Sequence, residues 1–408
     1  MGNMQLKDIV RIQTASINPM DAPDKLFHLY SLPSFDDNQK REEVYGHQIQ
    51  SNKSIVPDKC ILFNKLNVRF QRIWLIDNDD EDKICSTEFL PLIVNESKVD
   101  FYYCYFLLHS PGITNYLTGQ NTNTSGSHKR IDPDDFLSIE VQLPALPEQK
   151  RIGKFLYDIE QKITVNRQVN DYLEAMARQL YDYWFVQFDF PDVNAKPYKS
   201  SGGKMVWDEK LKRAIPYGWK DGQLIDIANI TMGQSPDGSS YNETGDGILF
   251  YQGSTDFGIR FPSVRQYTNS PTRLAKKGDI LMSVRAPVGA VNIANNDCCI
   301  GRGLAALNSK IGSITHLYFI IRDLKTAFDN KNAVGTTFGS ITKDELFSLP
   351  VVVPDASVIE RFESMCSPIF GRQMVIGKEV DDLIAQRDEL LPLLMNGQVS
   401  VRQLNNHL

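Results

Sequence analysis

The 408-residue sequence has no Cys-x-x-Cys pair and no clustered histidines. Its six cysteines (Cys60, Cys85, Cys104, Cys298, Cys299 and Cys366) are scattered. They read as buried thiols of a reducing compartment, with neither a disulfide framework nor a zinc site. No apolar run reaches the roughly 20 residues a membrane span needs, and the opening MGNMQL lacks the charged-then-apolar pattern of a signal peptide. A soluble cytoplasmic protein with no membrane partner is expected. Also missing are G-x-x-x-x-G-K-[S/T], H-E-x-x-H, G-x-S-x-G, an Asn/Asp-Pro-Pro-aromatic motif and a glycine-rich cofactor loop after a strand. Pro57, Asp58 and Lys59 faintly suggest a nuclease fragment whose remaining parts are absent. The acidic run DNDDED (77–82) lacks the glycine of a calcium loop and reads as a solvated turn. The chain is therefore expected to be non-catalytic, without a metal or cofactor of its own. Excess positive charge is lacking too. With 44 Lys and Arg against 50 Asp and Glu, the net charge is −6. Binding a polyanion by charge alone is excluded, so any nucleic-acid role must rest on local clusters or on a partner's charge.

What is present is a long helical pattern that occurs twice. From Ile152, steps of four and three give Leu156, Ile159, Ile163, Asn166, Asn170, Leu173, Ala177, Leu180 and Trp184, a helix-pairing seam of about five heptads. Adding 210 lands on Phe362, Cys366, Ile369, Gln373, Ile376, Val380, Leu383, Arg387, Leu390 and Leu394. The flanks repeat as well. IDPDDFLS (131–138) matches ITKDELFS (341–348), and QLKDIVRI (5–12) echoes QLIDIANI (223–230). DKCILFNK (58–65) likewise echoes KGDILMSVR (277–285). So long a repeat predicts two copies of a domain rather than a solenoid. The expected division is a mixed block 1–146, a helix 147–190, a linker 191–215, a second block 216–354, a helix 355–398 and a tail 399–408. Asn166 and Asn170 are polar seam positions that would fix register. Pro368 predicts a kink, and Pro392 and Gly397 the end of the second helix. The fold class is α+β: two duplicated mixed α/β domains separated by two long antiparallel coiled-coil helices, with pseudo-two-fold symmetry. A helix of 40 residues is about 60 Å long, so the pair would act as a ruler between the blocks.

Side chains suited to reading DNA recur in both blocks. Arg pairs bidentately with guanine and Gln with adenine, while Lys, Ser and Thr serve phosphates. In the first block the candidates are Lys65, Arg69, Arg72, Ser127, Lys129 and Arg130. In the second they are Gln252, Ser254, Arg260, Arg285, Arg302, Thr336, Thr337 and Ser340, with Arg265, Arg273, Lys276 and Lys277 nearby. Each singly reads first as a solvated surface charge; their recurrence on duplicated blocks favours a joint role. An enzyme acting alone on DNA and a pure protein scaffold stand as rival readings.

Several stretches together resemble the specificity subunits of Type I restriction–modification systems. LPALPEQKRI (143–152), DIEQKI (158–163), NRQ (166–168), LEAMA (173–177) and YWF (183–185) look like that family's central region. KPYKSSGGKMVW (196–207) and IPYGW (215–219) look like the approach to its second target recognition domain, and RDELLPLLMNG (387–397) like its carboxy-terminal region. The resemblance implies that the blocks are target recognition domains, each reading one half of a bipartite duplex DNA site. It implies helices that dock two modification (methyltransferase) subunits, with restriction subunits recruited through that complex. It also implies S-adenosylmethionine bound by the modification subunits, for adenine methylation, and no cofactor in this chain.

Overall fold

The computed structural model describes the chain apart from residues 1, 38, 120–129, 259, 334–338 and 405–408, and of residues 326–333 and 403–404 the backbone alone. The chain forms two compact units, 1–164 with 382–408, and 165–381. Each unit therefore takes in part of both long helices, because a seam of apolar residues on one helix needs a second helix and a domain to cover it.

In the first unit a four-stranded antiparallel sheet is ordered Val10–Ile12, Phe89–Val94, Lys59–Asn64, Ile73–Asp77. A five-stranded sheet is ordered Ser16–Ile17, Lys53–Ile55, Lys83–Cys85, Leu26–Tyr30, Glu42–Tyr45, and its Leu26–Tyr30 and Lys83–Cys85 strands run parallel. Gly2–Gln5 pairs with Glu140–Leu143. The apolar stretch FYYCYFLL is the helix Phe101–Leu108, begun by the Asp100 side chain accepting the Tyr103 N–H at 3.0 Å. Seven of its eight residues are buried, so it shows no one-sided period.

The second unit repeats this plan. Its four-stranded sheet is ordered Ala228–Met232, Leu304–Ser309, Ile280–Ser283, Val291–Ile293. Its five-stranded sheet again holds one parallel pair, Ile248–Tyr251 with Cys298–Ile300, and Lys220–Gln223 pairs with Pro350–Val353. The two copies are an α+β domain used twice.

The first long helix runs Leu146–Tyr181 and continues as a wider π turn, Asp182–Val186, closed by Gln187 N–H to the Asp182 carbonyl at 2.8 Å. It thus ends before the expected residue 190. The second runs Ala356–Met395 and continues as helix on both sides of Pro368. It stops where Gly397, at φ +69°, lets its own N–H reach the Leu394 carbonyl and the Gln398 N–H reach that of Leu393. None of the twenty seam positions is exposed. In the first unit Ile152 and Leu156 share a core with Leu390, Leu394 and Met395, and Glu160 meets Arg387 at 2.7 Å. In the second unit Asn166 Nδ2 donates to Glu379 Oε2 at 3.1 Å, and Gln373 Nε2 donates to the Asn170 carbonyl at 3.2 Å. The Trp184 and Phe362 rings lie 5.7 Å apart. Within each unit partner numbers fall as first-helix numbers rise, so the two helices pack antiparallel there. Burying each large apolar seam side chain contributes about 1.5–3 kcal/mol.

Residues 191–215, the expected linker or exposed crossing, are exposed or half-buried except for the buried Ile215, and they are partly ordered as strand. Met205–Asp208 and Arg213–Pro216 form a hairpin. Phe188, Phe190, Ile215 and Trp219 are buried, with Phe190 stacked 4.7 Å from Tyr198 and 5.0 Å from Trp219. The aromatic rings bind this polar-looking stretch to the second unit's core.

Candidate nucleic-acid interface

In the second unit three loops meet at the end of the parallel strand pair. The Gly301 N–H donates to the Tyr251 carbonyl at 2.8 Å and the Gly303 N–H to the Gln252 carbonyl at 3.2 Å. The Val284 N–H donates to the Gly303 carbonyl at 2.9 Å, and Arg285 bridges to Ser340. These ties form a rim carrying Gln252, Arg285, Arg302 and Ser340, all exposed. Ser254 begins the short turn behind Gln252. Buried Asp256 holds that turn: its Oδ2 accepts the Gln252 N–H at 2.7 Å, and its Oδ1 binds Arg265 at 2.7 Å. Sequence reasoning missed Asp256. Its signal was a carboxylate three residues after Gly253, the spacing at which a side chain turns back to cap the main chain.

The first unit builds a matching rim from counterparts of three of these four ties. The Ser86 N–H donates to the Tyr30 carbonyl at 3.0 Å, the Lys65 N–H to the Glu88 carbonyl at 2.9 Å, and Leu66 bridges to Arg130. Arg130 there is held bidentately by Glu88, at 2.9 Å and 2.5 Å. Lys65 is half-buried beside it, and Arg69 is exposed at the adjoining turn.

Other candidates are placed elsewhere. Arg72 is committed to Asp36, at 2.7 and 2.8 Å. Arg260 corrects its assignment outright. Its side chain is only 9% exposed, donates to Glu174 at 3.2 Å and Gln373 at 3.0 Å, and lies 5.2 Å over the Phe370 ring. A buried guanidinium spent on the long helices cannot reach a base. Glu174 also receives Arg322 at 2.8 Å and the Tyr318 hydroxyl at 3.2 Å, a network sequence reasoning missed because its members are far apart in the chain. Lys276 is paired with Asp297, while Arg273 and Lys277 are exposed. Ser127, Lys129, Thr336 and Thr337 lie outside the described residues.

The acidic run closes on bases: Asp80 pairs with Arg41 at 2.8 Å and Asp82 with Lys25 at 2.6 Å. All six cysteines are buried. Burial pushes Cys60, Cys104, Cys298 and Cys366 up to about 12, which keeps them as unreactive thiols. No helix among the described residues is long and apolar enough to cross a membrane.

Comparison with known proteins agrees with this doubled architecture. The chain is 27% identical to the putative type I restriction enzyme MjaX specificity subunit of Methanocaldococcus jannaschii, over 98% of this chain and 93% of that subunit. It is 22% identical to the type I restriction enzyme HindI specificity subunit of Haemophilus influenzae, over 85% and 88% of the two chains. The crystal structure of the Type-I restriction-modification system S subunit from M. genitalium shares the fold, with a TM-score of 0.59 at 14% identity, covering 96% of this chain and 95% of that one. The Type I restriction modification DNA specificity domain matches twice, at residues 2–175 and 216–390. The chain belongs to that family, as a Type I restriction–modification specificity subunit with two DNA specificity domains.

Proposed function

We propose that this chain directs a modification complex to a bipartite sequence in duplex DNA, each domain reading one half-site and the long helices setting the unread spacer. The observation that carries this reading is the rim built twice from matching main-chain bonds, one copy per domain. A helical repeat of DNA is about 34 Å, and helices of 36 and 40 residues are about 54 and 60 Å long, a length suited to half-sites one to two turns apart. The DNA-facing side chains in this reading are Lys65, Arg69, Gln252, Ser254, Arg285, Arg302 and Ser340.

The helices also dock two modification subunits in this proposal. Val165, Val169, Tyr172 and Met176 form an exposed apolar stripe at helical spacing, with Tyr172 74% exposed. Such a stripe suits a partner helix. The modification subunits bring S-adenosylmethionine and transfer methyl to adenine, restriction subunits join through the complex, and this chain supplies recognition without catalysis, in the cytoplasm. Mapping methylated adenine in cells carrying this gene and its cognate modification gene, against cells lacking this gene alone, tests the proposal. A two-part motif present only with the gene is expected; identical methylation in both removes the reading.

A further inference from the structure

The two rims are built alike but carry different chemistry. Matching main-chain bonds make Ser31 the counterpart of Gln252, Leu66 that of Arg285, Thr87 that of Arg302 and Glu88 that of Gly303. In the first domain Glu88 closes on Arg130, and the Ser31 hydroxyl is spent on Glu42 at 2.6 Å and on the Ser34 N–H at 3.1 Å. In the second, a side chain at position 303 is shut out: a Cβ there would lie 2.7 Å from the Gln252 carbonyl oxygen and 3.1 Å from the Gly253 Cα. No carboxylate can therefore occupy the place that Glu88 fills in the other copy. Arg285 and Arg302 are left without a carboxylate partner among the described residues, and the Gln252 amide is likewise uncommitted. Two exposed guanidinium forks and one amide, on loops fixed by backbone bonds and by Asp256, are groups that match guanine and adenine edges bidentately.

We infer that Gln252, Arg285 and Arg302 are the specificity-determining side chains of the second domain, reading purine edges in its half-site. The first domain reads its own half without an arginine at these positions. This inference rests on the DNA-reading function proposed above. Arg260, Arg265 and Lys276 carry charge in the same domain but are engaged by Glu174, Asp256 and Asp297, and stand outside the reading set.

The test uses the full chain assembled with its modification subunit and reads the methylated motif, base by base, for Gln252→Ser, Arg285→Leu and Arg302→Thr. Each replacement is the residue that the sister domain holds on an equivalent backbone. Arg302→Lys is added because it keeps the charge and loses the fork. Discrimination at one or more base pairs should relax by roughly five- to 150-fold, always in the same half, with the other half unchanged. A wild-type complex that yields no bipartite motif would defeat the underlying function. A wild-type motif that survives every substitution in both halves overturns this inference alone. So does a loss spread evenly over all sites with base preference kept, since that marks phosphate contacts.

Discussion

At the residue scale, charge and polarity here are decided by partners that lie far away in sequence. Arg260 and Arg302 are equally plausible readers by residue type, yet one is enclosed by Glu174 and Gln373 and the other stands clear. Only the fold separates them. His316 shows the same principle in a titratable group. It is buried against Phe185 at 4.4 Å, its Nδ1 has no partner among the described residues, and burial drives its pKa down to about 3. The folded state refuses the proton that the unfolded chain accepts near its ordinary value of about 6.5. Stability from this site is therefore complete above that value and is lost as pH falls toward 3. As pH drops from about 7.5 to about 5 the loss should be about 2 kcal/mol. His316→Phe, which keeps an aromatic ring, should flatten that part of the curve in denaturant titrations. An unchanged acid limb would exclude His316 as its source.

At the element scale, the long helices are legible because mostly apolar residues held at heptad spacing over five heptads make a stripe that a second helix must cover, and none of its positions is exposed. Less of the rest can be read. The helix Phe101–Leu108 is buried on nearly all sides and so gives no period. On either side of the hairpin after the first helix, Phe188 and Phe190 pack against Trp219, a tertiary contact that the polar stretch of Lys, Ser and Gly between them does not announce. The polar seam is mixed in its effect: Asn166 finds Glu379, while the Asn170 side-chain oxygen is buried without a partner among the described residues. Such groups weaken a seam yet restrict its register. On the outer face, the Val165–Met176 stripe carries the docking proposal. Changing Tyr172 and Met176 together to Glu leaves helix propensity almost untouched but places charge on an apolar contact. Recovery of the modification subunit with this chain should fall by at least tenfold at unchanged helix content by circular dichroism. Undiminished recovery would move the docking site elsewhere.

For the molecule as a whole, the net charge of −6 conflicts with a polyanionic target unless partners share the task. The slope of log affinity against log salt counts the phosphates neutralised, at about 0.9 per contact. The chain alone should bind duplex DNA with a shallow slope, and its complex with modification subunits should show a much steeper one. Equal slopes would assign the phosphate contacts to this chain. One further property follows from the short ladders Gly2–Gln5 with Glu140–Leu143 and Lys220–Gln223 with Pro350–Val353. Each places a strand at the opening of a sequence block against the strand that closes it, so the chain leaves and returns at a single stitched seam. The opening strand of each seam ends on the glutamine that starts a kindred word, QLKDI and QLIDI. A genetic crossover at these points would exchange a whole block as one piece, with both ends of the exchange falling on a single ladder.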